Sequence, residues 1–176
     1  DGSASRLDGT IQEILEYSRN SRLDIEYENF DVMNMVKQSY NDLQFSAQGN
    51  LELILDIQTE PIIYSDKSRI GVLLKNVIGN AIKYRNKEID SFVKFTLKRD
   101  EESIIMAVTD NGEGIDTQHL DKIFTMFYRG TTSSVGTGLG LYICQEIANK
   151  LNGSLQVDSQ LGEGTTMTIT IPDLKT

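Results

Sequence analysis

The spacing of apolar residues divides the chain into helices and strands before any motif is considered. Leu7, Ile11, Ile14 and Leu15 recur at three- and four-residue intervals, with Arg6, Gln12, Glu13 and Glu16 between them, which predicts a helix over residues 4–19. The stretch ends abruptly at Asp1, as expected of the later part of a longer helix; an ordinary amphipathic helix packed on its own domain has the same pattern. Asp31 is placed to cap a second helix carrying Met33, Val36, Tyr40 and Leu43. Leu51 to Ile57 and Ile62 to Tyr64 are strand-like, parted by Thr59-Glu60-Pro61. A long helix is predicted from about Asp66 to Arg85.

Two strands come next, Phe92 to Lys98 and Ile104 to Thr109, with Asp100-Glu101-Glu102 as their turn. Ile104, Ile105, Met106, Ala107 and Val108 make the second apolar on both faces, so it is expected at the centre of its sheet. A short helix near Thr117 to Phe124 lies between glycine-rich loops, and another helix runs from about Gly138 to Leu151. Ser154 to Asp158 and Thr165 to Ile171 form a closing hairpin through Gly162-Glu163-Gly164. In its last strand Met167, Ile169 and Ile171 alternate with Thr166, Thr168 and Thr170, the mark of a half-buried strand. The expected fold class is α+β, a two-layer sandwich of one mixed, mostly antiparallel sheet covered by helices on one face.

Composition narrows the function. The chain has 176 residues with 17 basic and 26 acidic side chains, a net charge of −9. It lacks the basic patch that neutralises nucleic-acid or membrane phosphates, so neither is an expected partner. A small anion can still be held where backbone N–H groups and one or two cations outweigh distant carboxylates. Cys144 is the single cysteine, which excludes an internal disulfide and suits a reducing cytosol. No apolar run approaches the roughly 18 residues of a membrane span, which leaves open whether a parent protein is membrane-anchored.

Four segments carry candidate chemistry. On the long helix, Asn76, Asn80 and Lys83 fall at i, i+4 and i+7 and so share one face. Two amides and an ammonium in line suit a phosphate chain with Mg²⁺, a cation usually held by one or two protein oxygens plus phosphates and water; a solvated polar stripe has the same spacing. Asp110-Asn111-Gly112-Glu113-Gly114-Ile115 follows the central strand, placing a carboxylate where the backbone can pass close to a flat ligand bearing an exocyclic amine. A simple turn is the alternative, and the alternating ligands of a calcium loop are missing. Gly136-Thr137-Gly138-Leu139-Gly140-Leu141 leads into a helix, where consecutive free N–H groups make an anion site. It matches neither the dinucleotide nor the P-loop fingerprint, and a flexible connection is the plainer reading. Gly130 to Val135 before it read as a mobile lid. Ile123-Phe124-Thr125-Met126-Phe127-Tyr128-Arg129 supplies aromatics expected to anchor the lid base in the core, and a cation within reach of a phosphate.

In this order the segments resemble the boxes of the sensor histidine kinase ATP-binding domain, a branch of the Bergerat-fold ATPases. Asn76 to Tyr84 is similar to the N box, Asp110 to Ile115 to the first glycine box, Ile123 to Arg129 to the phenylalanine box and Gly136 to Leu141 to the second glycine box. Gly162 to Pro172 is similar to the closing glycine-threonine segment, so the resemblance covers roughly residues 30 to 173.

The resemblance implies nucleotide contacts at Asn76, Asn80, Lys83, Tyr84, Asp110, Gly112, Gly114, Ile115, Phe127, Arg129, Gly136, Thr137, Gly138, Leu139, Gly140, Leu141, Thr165 and Thr166. Asp110 would read the adenine amine, with Thr165 or Thr166 helping to hold the base and Tyr84 packing on its ring. Asn80 would ligate Mg²⁺ beside Asn76, Lys83 would meet the phosphates, and the lid with Gly138 to Leu141 would close over them. Gyrase-like, MutL-like and heat-shock-chaperone relatives carry a water-activating glutamate four residues before the magnesium asparagine. Asn76 holds that place here and cannot act as a base, so transfer to a partner is favoured over hydrolysis.

The implied acceptor is a histidine on a dimerisation hairpin of the same parent, expected to be a homodimer, with a response-regulator receiver domain downstream. His119, the single histidine, lies outside the family's acceptor context and reads as an exposed helix-start residue. Residues 1–25 are therefore expected to be the end of the hairpin's second helix plus linker, and 26–176 a cytoplasmic ATP-binding catalytic domain lacking its phosphoacceptor. A regulatory nucleotide-binding module without transfer, or a serine kinase of the anti-sigma type, would carry the same boxes.

Overall fold

The computed structural model describes residues 2–45, 50–130 and 136–174, with side chains from Gly9 onward. The predicted lid falls mostly on residues 131–135, outside the described residues. The first helix, α1, spans Gly2–Arg22. Strand β1 (Tyr27–Asp31) leads directly into α2 (Val32–Gln44), where Asp31 accepts a hydrogen bond from the Asn34 N–H at 3.0 Å and so satisfies one of the free donors of the first turn. Strands β2 (Leu51–Ile57) and β3 (Ile62–Asp66) follow, and Asp66 caps α3 (Lys67–Lys83) in the same way through the Arg69 N–H at 2.9 Å. Strands β4 (Ser91–Arg99) and β5 (Ser103–Asp110), the short helix α4 (Thr117–Leu120), α5 (Gly140–Lys150) and the hairpin β6 (Ser154–Gln160) and β7 (Gly164–Pro172) complete the order.

Five strands form the main sheet in the order β2-β4-β5-β7-β6, with only the β2–β4 pair parallel. This is the expected mixed, mostly antiparallel sheet, and β5 is its central strand. The apolar run of β5 is nevertheless buried on one face only. Ile104, Met106 and Val108 are at most 1% exposed, whereas Ile105 and Ala107 stay half-buried on the uncovered side. A continuous apolar strand gave the right position without telling a two-sided from a one-sided sheet.

The covered face packs against α2, α3 and α5. From α3 come Ile70, Leu73, Leu74, Val77 and Ile78, and from α5 Ile143, Cys144 and Ile147, set against Val93, Phe95, Leu97, Ile169 and Ile171. That burial removes the apolar stripe of each helix from water and leaves its polar edge at the sheet's end. Apolar patterning does not reveal β1, which pairs antiparallel with β3 as a separate two-stranded sheet. Its only buried residue is Phe30, so it has no alternating pattern to detect. No helix among the described residues is long and apolar enough to cross a membrane.

Candidate functional site

A cavity of about 480 Å³ opens between α3, the end of β5, the start of β7 and the turn entering α5. It gathers fourteen of the residues predicted above: Asn76, Asn80, Lys83, Tyr84, Asp110, Gly114, Ile115, Arg129, Gly136, Thr137, Gly138, Gly140, Leu141 and Thr165. The polar stripe of α3 thus faces a cavity and is not simply solvated.

Its floor is built by strand pairing. Asp110 ends β5 opposite Thr165 of β7, beside the Val108–Met167 pair, which lines the same cavity. Gly164 makes that approach possible: its φ is +120°, and a Cβ there would sit 2.0 Å from the Asp110 carbonyl oxygen. The Asp110 carboxylate accepts the Gly112 N–H at 2.9 Å. Burial pushes its pKa up to about 6, against the opposing pull of backbone hydrogen bonds from Gly112 and Thr165. Asn111 turns away instead, accepting from the Phe92 N–H at 2.9 Å and donating to the Asp90 carbonyl at 3.0 Å, which pins β4 to the loop.

Ser159 carries no motif signal, yet it organises this corner. Its hydroxyl accepts the Ile115 N–H at 2.8 Å and donates to the Gly164 carbonyl at 2.9 Å. With that proton committed, the 2.8 Å contact with Thr165 requires Thr165 to be the donor. The Thr165 lone pairs are then left for a ligand.

On the opposite wall the Asn76 amide nitrogen donates to the Val72 carbonyl at 2.9 Å, so its oxygen is turned toward the entry of α5. A Cβ at Gly140 would lie 2.7 Å from that oxygen, which is the close approach a glycine permits. The Lys83 ammonium lies 4.6 Å from the Tyr84 ring centroid and approaches Gly136. Gly138, at φ +80°, accepts the Phe127 N–H at 3.0 Å through its carbonyl and ties the phenylalanine-box turn to the second glycine turn.

Four predicted residues are placed elsewhere. Thr166 points to the opposite side of the sheet and pairs with Thr109 at 2.9 Å, because successive strand residues face opposite ways. Leu139 is 4% exposed and turned into the core as the residue preceding α5. Gly112 is buried in the turn against the end of α3, where a Cβ would meet the Tyr84 carbonyl at 2.5 Å. Phe127 sits at φ +62° and is 59% exposed, so it does not anchor the lid base; Phe124 packs against the core instead.

Residues that the sequence reading did not place also line the cavity. His119, expected at an exposed helix start, is half-buried there, with Nδ1 2.6 Å from the Tyr128 hydroxyl. Glu13 reaches in from α1 and accepts a hydrogen bond from the Thr137 hydroxyl. The arrangement combines a buried acceptor between apolar walls at one end with amides, an ammonium and a glycine-rich helix entry at the other. That suits a flat, amine-bearing ring joined to a polyanion.

Comparison with known proteins agrees with this chemistry. Residues 65–175 match the family model described as "Histidine kinase-, DNA gyrase B-, and HSP90-like ATPase". Cyanobacterial phytochrome A of Nostoc is 33% identical over 172 residues, which is 96% of this chain and 22% of that protein. The sensor histidine kinase ZraS of Escherichia coli is 30% identical over 178 residues, 96% of this chain and 36% of its own length. The chain thus spans well under half of these relatives. Among solved structures, the Acinetobacter baumannii histidine kinase AdeS has a TM-score of 0.76 at 27% identity, covering 99% of this chain and 82% of that one. ShkA, solved at full length in complex with AMPPNP, shares the fold with a TM-score of 0.83 at 23% identity, covering 97% of this chain and 36% of that one.

Proposed function

This chain belongs to the histidine kinase-, DNA gyrase B- and HSP90-like ATPase family, and we propose that, as the ATP-binding catalytic domain of a sensor histidine kinase, it holds Mg²⁺·ATP and passes the γ-phosphoryl group to a histidine on a hairpin of its parent protein. The observation that carries the reading is the convergence of Asp110, the Asn76–Asn80–Lys83 face and the Gly136–Gly140 turn on one cavity. Asp110 accepts the adenine amine, Thr165 holds the base through its free lone pairs, and Tyr84 covers the ring. Lys83, Arg129 and the N–H groups entering α5 take the phosphates.

The donor set fits a metal that arrives with its nucleotide. No cluster of three or more His, Cys, Asp or Glu suited to a metal is present among the described residues. Asn80 would supply one hard amide oxygen, with phosphate oxygens and water supplying the rest. When bound, Mg²⁺ offsets the charge that builds on the transferring phosphoryl group.

The chain's own part in transfer is positioning. The bond between the γ-phosphorus and the ADP oxygen breaks, a phosphorus–nitrogen bond forms to the acceptor imidazole, and the imidazole proton leaves to solvent or a neighbouring base. Asn76 cannot take a proton from water, so hydrolysis lacks a general base on this helix. The acceptor lies outside this chain: His119 is bonded to Tyr128 within the cavity wall. We further propose a cytoplasmic location, a homodimeric parent with residues 1–25 leading from its hairpin, and a receiver domain that takes the phosphoryl group next.

The test is calorimetric titration with a non-hydrolysable ATP analogue with and without Mg²⁺, followed by incubation with labelled ATP and a histidine-bearing hairpin fragment. Micromolar, Mg²⁺-assisted binding and an acid-labile label on the hairpin are expected. Binding without transfer would favour a regulatory module, an acid-stable label a serine kinase, and no binding would remove the nucleotide reading.

A further inference from the structure

Helix α1 runs alongside α5 in the same direction and is fastened to it at three levels. At its carboxyl end the exposed carbonyls are capped by two cations from the catalytic core. Lys150, in the last turn of α5, donates to the carbonyls of Asn20, Ser21 and Leu23, the last at 2.8 Å. Arg69, only 7% exposed, donates to the Asn20 side chain at 2.8 Å and to the Leu23 carbonyl at 2.7 Å, while its charge is met by Asp66. Satisfying free helix carbonyls with cations complements the helix dipole and fixes where α1 ends. One turn back, the Tyr17 and Tyr142 rings lie 5.7 Å apart. Glu13, four residues before Tyr17 and seven before Asn20, is on the same face. It reaches the Thr137 hydroxyl, which itself accepts the Leu139 N–H at 3.1 Å.

A carboxylate therefore sits where the backbone enters α5, the position whose free N–H groups and dipole favour an anion. It lies within the same cavity as Asn76, Asn80 and Lys83. We propose that α1 is an intramolecular competitor of the nucleotide: docked along α5, it presents Glu13 as a stand-in for phosphate, and the triphosphate binds fully only when Glu13 yields. This rests on the reading of the cavity as an ATP site. The consequence is a switch in which a small rotation or slide of α1, resisted by Arg69 and Lys150, sets nucleotide affinity.

The experiment compares the 176-residue chain with its Glu13→Gln and Lys150→Met variants, measuring affinity for Mg²⁺·AMPPNP and for adenosine. Glu13→Gln keeps a side chain able to bond Thr137 and removes only the charge, and thermal unfolding of each variant checks the fold. The expected result is AMPPNP bound about 3- to 10-fold more tightly by Glu13→Gln at low salt, with the gain fading toward ~0.5 M salt as screening shortens the reach of the charge. Lys150→Met shifts affinity the same way by loosening the latch, and adenosine affinity stays constant because it carries no phosphate. Equal AMPPNP affinity in wild type and Glu13→Gln, with adenosine still bound, overturns the competition alone. Weaker AMPPNP binding by Glu13→Gln also overturns it, by making Glu13 part of the Mg²⁺ or phosphate site. If no variant binds either ligand, the nucleotide reading falls and this inference with it.

Discussion

Replacing Asp110 by asparagine separates stability from binding in opposite directions. Burial raises the carboxyl pKa from 3.8 to about 6, so the folded state holds this proton more tightly than the unfolded chain does. The sign follows: the contribution to stability is full below about pH 4 and is lost as pH rises through about 6, above which the buried charge costs its whole amount. A shift of this size corresponds to roughly 2–3 kcal/mol. The substituted side chain carries no charge, and its amide oxygen can still accept the Gly112 N–H that Asp110 accepts at 2.9 Å. The ligand-free variant should therefore be more stable than wild type at pH 7.5, by about 1–3 kcal/mol, and indistinguishable from it near pH 4. Binding should move the other way. Exchanging a charge-assisted bond to an exocyclic amine for a neutral one forfeits roughly 1.5–3 kcal/mol, or about 10- to 150-fold in affinity. Denaturant unfolding of the free protein at pH 4–7.5 and calorimetry with AMPPNP at pH 7.5 read the two effects. A destabilised variant at pH 7.5, or undiminished affinity, would refute the assignment of Asp110 as a desolvated acceptor for adenine.

Two further substitutions test the walls of the site. Asn80→Ala should cost Mg²⁺-dependent affinity at least about tenfold and leave Mg²⁺-free affinity within roughly threefold, measured by titrating AMPPNP with and without the metal; equal losses would make Asn80 a structural residue. Gly164→Ala should lower stability by about 2–4 kcal/mol in thermal unfolding, because its Cβ would have to displace the Asp110 carbonyl from a backbone held at φ +120°. A loss under ~1 kcal/mol would mean that β5 and β7 are not held so closely there.

The parts of the fold that sequence patterning placed are those with local causes. Asp31 and Asp66 each sit at a helix start because a short side-chain oxygen can satisfy a first-turn N–H, and that is visible within four residues. The shared face of Asn76, Asn80 and Lys83 follows from helical periodicity alone. What escaped notice depends on distant partners. Glu13 meets Thr137 across 124 positions, and Ser159 matters only because separate backbone segments meet at its hydroxyl. The choice between Thr165 and Thr166 was a question of register: pairing Asp110 with Thr165 sends the next threonine to the far face. His119 and Tyr128 are nine residues apart, but only the fold of the intervening turn brings their side chains together.

The charge of the cavity wall makes the divalent cation decisive for any polyanion bound there. Glu13, Asp110, Glu113 and Asp116 stand against Lys83 and Arg129 among the described lining residues, within a chain of net charge −9. Free ATP brings roughly four more negative charges, so without metal its attraction must come from N–H groups and two cations working against that field. At 0.1 M salt the screening length is about 10 Å, comparable with the span of the cavity, and added salt therefore weakens the repulsion from the farther carboxylates more than the direct contacts. Metal-free AMPPNP should consequently bind no more weakly, and by up to about threefold more tightly, at ~200 mM NaCl than at ~20 mM. With Mg²⁺ present the ligand loses half its charge and the salt response should flatten. Calorimetric titrations at both ionic strengths, with and without Mg²⁺, decide the matter. A steep loss of metal-free affinity with salt, as at a lysine-rich phosphate site, would show that Lys83 and Arg129 outweigh the carboxylates and that Mg²⁺ is a contributor to binding and not its condition.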